Sequence, residues 1–247
     1  MAKVIIDSLP SSAERYVDNW AIVAVDVIRF TTTAATAISI GRSVFPARSS
    51  DEAISVASGL TDPLLAGELG GNVPYGFDLP NSPVAVMALR QIPCGQFTSG
   101  DRPIVLVSSS GAQLVVNALS AEHLYLGCLR NISALVAYLV EHHENVAVLG
   151  AGTRGDFRRE DQMCCAWIAE RLIEQRYSPE NEATLDFVKK WHGVSSDVIR
   201  EGRSAEYLRR TGQVHDLEFV LHYQDDLAIV PKKGGERTFR NAADRWS

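Results

Sequence analysis

Residues 20–33 read WAIVAVDVIRFTTT. An apolar run from Trp20 to Val25 passes without polar alternation into Asp26, the pattern of a strand covered on both faces, and three threonines then open a helix over 31–40. The same order of strand, polar turn and helix recurs in PIVLVSSSGAQ at 103–113 and in NVAVLGAG at 145–152. Strands that alternate with helices in this way predict an α/β fold, with a mostly parallel sheet and helices on both faces.

Outward from that unit, further strands are predicted at 3–7, 43–46, 63–67 and 123–127, and further helices at 51–58, 83–90, 111–119, 131–143 and 160–176. Right-handed crossovers place the helices on the two faces of the sheet. Beyond about residue 178 charge density rises and the periodicity is helical, at 180–191, 195–201 and 203–211, before a strand-like DLAIVP at 226–231. The expectation is an α/β core over 1–177 carrying the site and a helical C-terminal subdomain over 178–247 packed on it, or one domain containing both.

The chain has 247 residues, 46% hydrophobic and 22% charged, which excludes disorder and collagen-like repeats. Lys and Arg number 24 against 30 Asp and Glu, so the net charge is -6 and no basic field recruits nucleic acid. No apolar run approaches the roughly 20 residues a membrane helix needs. The opening MAKVIIDSLP reaches Asp7 after three apolar residues, too short for a signal-peptide core, so the expected location is cytoplasmic. Four cysteines (Cys94, Cys128, Cys164, Cys165) form neither a disulfide framework nor a CxxC zinc pair and are read as reduced. A homo-oligomer is compatible with all of this.

Ligands of open parallel sheets bind beyond the carboxyl ends of the strands, and four such loops carry more polar residues than turns require. After Asp26, Arg29 with Thr31 and Thr32 at a helix start resembles an anion cradle beside an acid; the competing reading is a capped helix and an Asp26–Arg29 pair. AGELGGNVPYGFDLPNSP at 66–83 holds Glu68, Asn81 and Ser82 in a glycine-dense loop too long to be an ordinary turn. Ser109, Ser110 and Gly111 after the strand at 103–108 could wrap an anion or simply cap a helix. In the fourth loop, Glu160 and Asp161 open a helix, either as dipole partners or as oxygen donors suited to magnesium.

Several tempting motifs fail. Gly150, Gly152 and Gly155 match GxGxxG, but the acid expected about 20 residues on falls in a helical stretch. Cys165 and Arg171 have phosphatase spacing, yet CAWIAER is continuous helix without glycine. No GxSxG, GxxxxGKS or HExxH occurs.

Taken together, VDVIRFTTT, GELGG with GFDLPNSP, GCLRNISAL around Asn131, GAGTRGDF with Glu160 and Asp161, L..TG...D from Leu208 to Asp216 and a late Val230–Pro231 resemble the 2-phosphosulfolactate phosphatase family, in order over most of the chain. The resemblance implies that family's α/β fold and a magnesium-using hydrolysis of the phosphate ester of 2-phospho-3-sulfolactate, a step toward coenzyme M. It implies that Asp26, Glu68, Glu160 and Asp161 supply acids to the site and that Arg29, Thr31 and Thr32 handle anionic groups. Two departures stand out: Leu69 replaces an arginine that follows the family's glutamate, and Ser109-Ser110-Gly111-Ala112 replaces a threonine-rich TNGT loop. Arg154, Arg158 or Arg159 are the candidates to compensate.

The resulting expectation is a magnesium-dependent phosphomonoester hydrolase acting on a small anionic phosphorylated substrate. Asp26, Arg29 and Glu68 would be catalytic. Thr31, Thr32, Asn81, Ser82, Ser109, Ser110, Gly111 and Asn131 would bind substrate, and Asp26, Glu68, Glu160 and Asp161 would hold Mg²⁺. The alternative is a non-catalytic anion-binding protein of the same fold.

Overall fold

A computed structural model describes residues 1–91, 102–152 and 155–244; Cys94 and Arg154, named among the sequence expectations, lie outside them. The elements expected before residue 177 are present within about two residues of their expected ends. They are β1 (Lys3–Ser8), β2 (Ala21–Val25), α1 (Phe30–Ser39), β3 (Val44–Ala47), α2 (Ser50–Ser58), β4 (Leu64–Gly67), α3 (Pro83–Ala88), β6 (Ile104–Val107), α4 (Gly111–Asn117), β7 (Leu124–Gly127), α5 (Ile132–His142), β8 (Asn145–Gly150) and α6 (Arg159–Glu174). A two-residue strand, β5 (Leu79–Pro80), joins them inside the long 66–83 loop.

One eleven-stranded sheet has the order β5-β4-β6-β3-β11-β10-β7-β2-β8-β1-β9, the last-numbered strands being β9 (Ser178–Pro179), β10 (Pro231–Gly234) and β11 (Thr238–Asn241). β5, β4, β6 and β3 pair in parallel, as do β7, β2, β8, β1 and β9. The β10–β11 hairpin joins the two sets and is antiparallel to both neighbours. The fold is therefore α/β with a mixed, mostly parallel sheet.

Strand burial explains the unbroken apolar runs. Val23, Val25, Val146 and Val148 face one core with α5 and α6, while Ile22, Ala24, Ala147 and Leu149 face the other with α1 and α4. Alternate residues of the same strand thus fill opposite cores, and neither face can be polar.

The C-terminal third departs from expectation. After α7 (Glu182–Trp191), residues 196–201 form a 3-10 turn, followed by α8 (Arg203–Arg210) and an unanticipated α9 (Val214–His222). DLAIVP at 226–231 is not a strand. Its backbone is drawn to the turn before α5, with Asp225 N–H on Leu129 O and Leu227 N–H on Arg130 O, while Asp226 receives Arg130 Nε at 2.9 Å. The true strands are the polar PKKG and TFRN segments, at the middle of the sheet. Lys232 and Lys233 tolerate that position because their amines reach out to Tyr138 Oη and to the Leu119 and Ala121 carbonyls. No described helix is long and apolar enough to cross a membrane.

Candidate active site

The residues that follow β2, β4, β5 and β6, together with the first turns of α6 and α8, line one cavity of about 460 Å³. Its walls include Asp26, Arg29, Glu68, Asn81, Ser109, Ser110, Glu160 and Asp161, so all four expected acids meet although they come from three separate segments, the loops after β2 and β4 and the first turn of α6. Asp26, Glu160 and Asp161 are buried.

Each acid is held differently. Backbone N–H groups of Phe30 and Gly111 donate to the Asp26 carboxylate. A Cβ on Gly111 would stand 2.3 Å from Asp26 Oδ2 and 2.6 Å from Phe30 Cβ, so glycine is what lets α4 approach this carboxylate. Asp161 Oδ1 accepts from Val27 N at 2.8 Å. Glu68 accepts from Ser109 N at 2.8 Å and Gly71 N at 2.6 Å, which fixes the glycine turn against the serine loop. The Ser204 hydroxyl donates to Glu160, whose Oε2 is buried without a hydrogen-bond partner.

Clustering buried acids has an electrostatic consequence. Burial, then the charges of Glu68 and Glu160, push the Asp26 carboxyl up to about 7. Asp161 rises well above the usual carboxylate range through burial and then Asp26 and Glu160; Glu160 rises mainly through burial. Positive charge faces them. Arg29 and Arg158 line the cavity, as does Arg203 of α8. The N-cap residues of α6 and α8 make no side-chain cap, whereas α1 spends Phe30 N–H on the Asp26 carboxylate and Thr31 N–H on Asp26 O.

The donor set suits a hard divalent cation: four carboxylates and the Asn81 amide, with Asn81 Oδ1 and Glu160 Oε2 both buried and without hydrogen-bond partners. Among the described residues no three His, Cys, Asp or Glu side chains are already drawn into a metal cage.

A family model described as 2-phosphosulpholactate phosphatase matches residues 7–235. The chain belongs to the 2-phosphosulfolactate phosphatase family. Similar relatives are each named probable 2-phosphosulfolactate phosphatase. That of Carboxydothermus hydrogenoformans is 29% identical over 214 residues, 86% of this chain and 85% of the relative. That of Caldanaerobacter subterraneus is 29% identical over 217 residues, 85% and 86% of the two chains, and that of Symbiobacterium thermophilum is 30% identical over 216 residues, 85% and 89%.

Not every residue expected to bind substrate in this family member faces the cavity. Thr31 Oγ1 accepts from Asp26 N and donates to Asp26 O, and Thr32 Oγ1 donates to Val27 O, so both hydroxyls build the turn. Asn131 is wholly buried, its amide shared between Cys128 N and Leu126 O. Ser82 donates to Asp216 and caps α3 through Ala85 N. Gly111 contributes its N–H to Asp26 rather than to an open surface. Leu69 packs beside the small apolar cluster of Ala47, Ala53, Val105 and Val107 and does not line the cavity. Arg159 turns to Val198 O and Glu201.

The structure also brings in residues that sequence reasoning gave no role. Asp216 and Gln213 accept from the Arg29 guanidinium, and Arg203, Ser204 and Tyr207 form the wall contributed by α8. The only signal for Gln213 and Asp216 was the L..TG...D segment, which runs from Leu208 to Asp216; Arg203, Ser204 and Tyr207 precede it.

Proposed function

We propose that this chain is a magnesium-dependent phosphatase that hydrolyses the phosphate monoester of 2-phospho-3-sulfolactate or a closely similar small acidic metabolite. The observation that carries the reading is the meeting of Asp26, Glu68, Glu160, Asp161 and Asn81 in one cavity with Arg29. Membership of the family supports the ester class.

Asp26, Glu160 and Asp161 would hold the cation, with Glu68 and the Asn81 carbonyl completing an oxygen-only set. Bound magnesium supplies Lewis acidity, polarising a phosphoryl oxygen and offsetting the negative charge of the ester. A carboxylate of this cluster that the cation leaves free would orient the attacking water and accept its proton. Arg29, fixed by Asp216, opposes the charge that grows on the transferring phosphoryl group, and the first turns of α6 and α8, without side-chain caps, add their N–H dipoles.

Phosphate release from 2-phosphosulfolactate and from a panel of phosphorylated hydroxy acids, with Mg²⁺ and with EDTA, tests the reading. Expected are release that EDTA abolishes and a loss of about a hundredfold or more in Asp26→Asn. No release from any ester, combined with tight binding of the same compounds, would support the non-catalytic alternative.

A further inference from the structure

Two arginines join the acidic cavity to its neighbour. Arg158 and Arg203 line both that cavity and a second one of about 600 Å³, whose walls include Asp156, Phe157 and Lys190. Their Nη1 atoms converge on a single oxygen: Asp156 Oδ2 lies 2.9 Å from Arg203 and 3.2 Å from Arg158. Only the Arg203 contact is a hydrogen bond, because Arg158 Nη1 is buried and donates none. One carboxylate oxygen is therefore stretched between two guanidinium groups that could each take an acceptor of their own.

That occupancy is weakly held. The Arg203 side chain is 76% exposed and that of Asp156 42%, so water and salt screen the pair. Arg29, by contrast, is committed to a fully buried Asp216. Of the three arginines lining the acidic cavity, Arg158 and Arg203 are thus the two whose counter-ion is exchangeable.

We propose that Arg158 and Arg203 form a subsite for a second acid group of the substrate, a sulfonate or carboxylate on the same small carbon skeleton as the phosphate. Asp156 fills this subsite in the absence of substrate. The inference rests on the phosphatase reading and adds the selectivity to it. A sulfonate or carboxylate presents two or three oxygens, giving each guanidinium its own acceptor, whereas a simple phosphomonoester has nothing to place there. It also accounts for the tolerance of Leu69, since the two exchangeable cations of the cavity come from the loop before α6 and from α8.

Calorimetric binding of 3-sulfolactate, which lacks the phosphate, is measured in the presence of Mg²⁺ for the wild type, Arg158→Gln, Arg203→Gln and Asp156→Asn. Kd is expected to rise about tenfold or more in each arginine variant and to fall in Asp156→Asn, where the internal competitor is gone. Arg203→Gln lies at an exposed position and separates this effect from misfolding. In hydrolysis, the ratio of kcat/KM for 2-phosphosulfolactate to that for p-nitrophenyl phosphate should fall at least tenfold in both arginine variants, through KM; the 2-phospholactate ratio distinguishes sulfonate from carboxylate. Unchanged 3-sulfolactate binding, a weaker Kd in Asp156→Asn, or equal losses on all esters would overturn the subsite. If the wild type hydrolyses none of these esters, the phosphatase reading fails while the calorimetry still decides the subsite.

Discussion

Arg29 Nη1 stands 2.5 Å from Asp216 Oδ2, and the two side chains are 5% and 0% exposed. The residues are 187 positions apart, so this ion pair ties α9 to the turn between β2 and α1. Ser82, also buried, donates to the other Asp216 oxygen. Replacing Asp216 by Asn removes the counter-charge of a buried guanidinium. Breaking such a pair costs about 3–5 kcal/mol. A denaturant titration should show a lower midpoint at unchanged slope, together with reduced turnover; stability equal to wild type would contradict the role given to this pair.

Gly111→Ala tests how closely α4 must approach Asp26. The added Cβ would meet Asp26 Oδ2 at 2.3 Å and Phe30 Cβ at 2.6 Å, neither of which is the free end of a flexible chain. Overpacking of this kind costs about 1–3 kcal/mol. The variant should fold with a modestly lower Tm and lose at least about tenfold in kcat, because the carboxylate is displaced from its N–H donors. Full activity would show that the contact is not needed.

The raised acids predict how magnesium and pH act on stability. Asp26 moves from 3.8 to about 7, and Glu160 and Asp161 are raised as well. A carboxyl raised on folding binds its proton more tightly in the folded state. Cation-free stability is therefore highest below the unfolded value and declines as pH climbs toward about 7. A cation among these groups favours their ionised forms, so its stabilising effect grows across the same interval. The Tm difference between Mg²⁺ and EDTA should be larger at about pH 8 than at about pH 5. Taking that difference removes His143, which burial and then His123 hold down to about 4. A difference that does not vary with pH would count against the carboxylate cluster as the binding site.

The sequence made the two parallel strand sets legible because doubly covered strands must be apolar throughout: Ala21–Val25 and Ile104–Val107 have no exposed residue. The hairpin that joins them escaped notice because PKKG and TFRN are short and polar and bury their place in the sheet through lysine stems and Phe239. The apolar DLAIVP misled for the opposite reason, its Leu227 N–H serving the turn before α5 and its Val230 N–H the Asn241 side chain instead of a ladder. Among candidate site residues, the acids were readable as surplus charge at strand ends. Thr31, Thr32 and Asn131 stand in the same loops, but hydroxyls and amides there serve the backbone as readily as a ligand. The role of Asp216 could not be read although L..TG...D includes it, since its partner Arg29 lies far upstream.

A crystal grown with Mn²⁺ in place of Mg²⁺, together with the sulfolactate product, locates the cation by its anomalous scattering. The account predicts one strong peak bounded by Asp26, Glu160, Asp161 and Asn81, on the Arg29 side of the cavity. Full occupancy of that metal elsewhere, with those four side chains unligated, would contradict it.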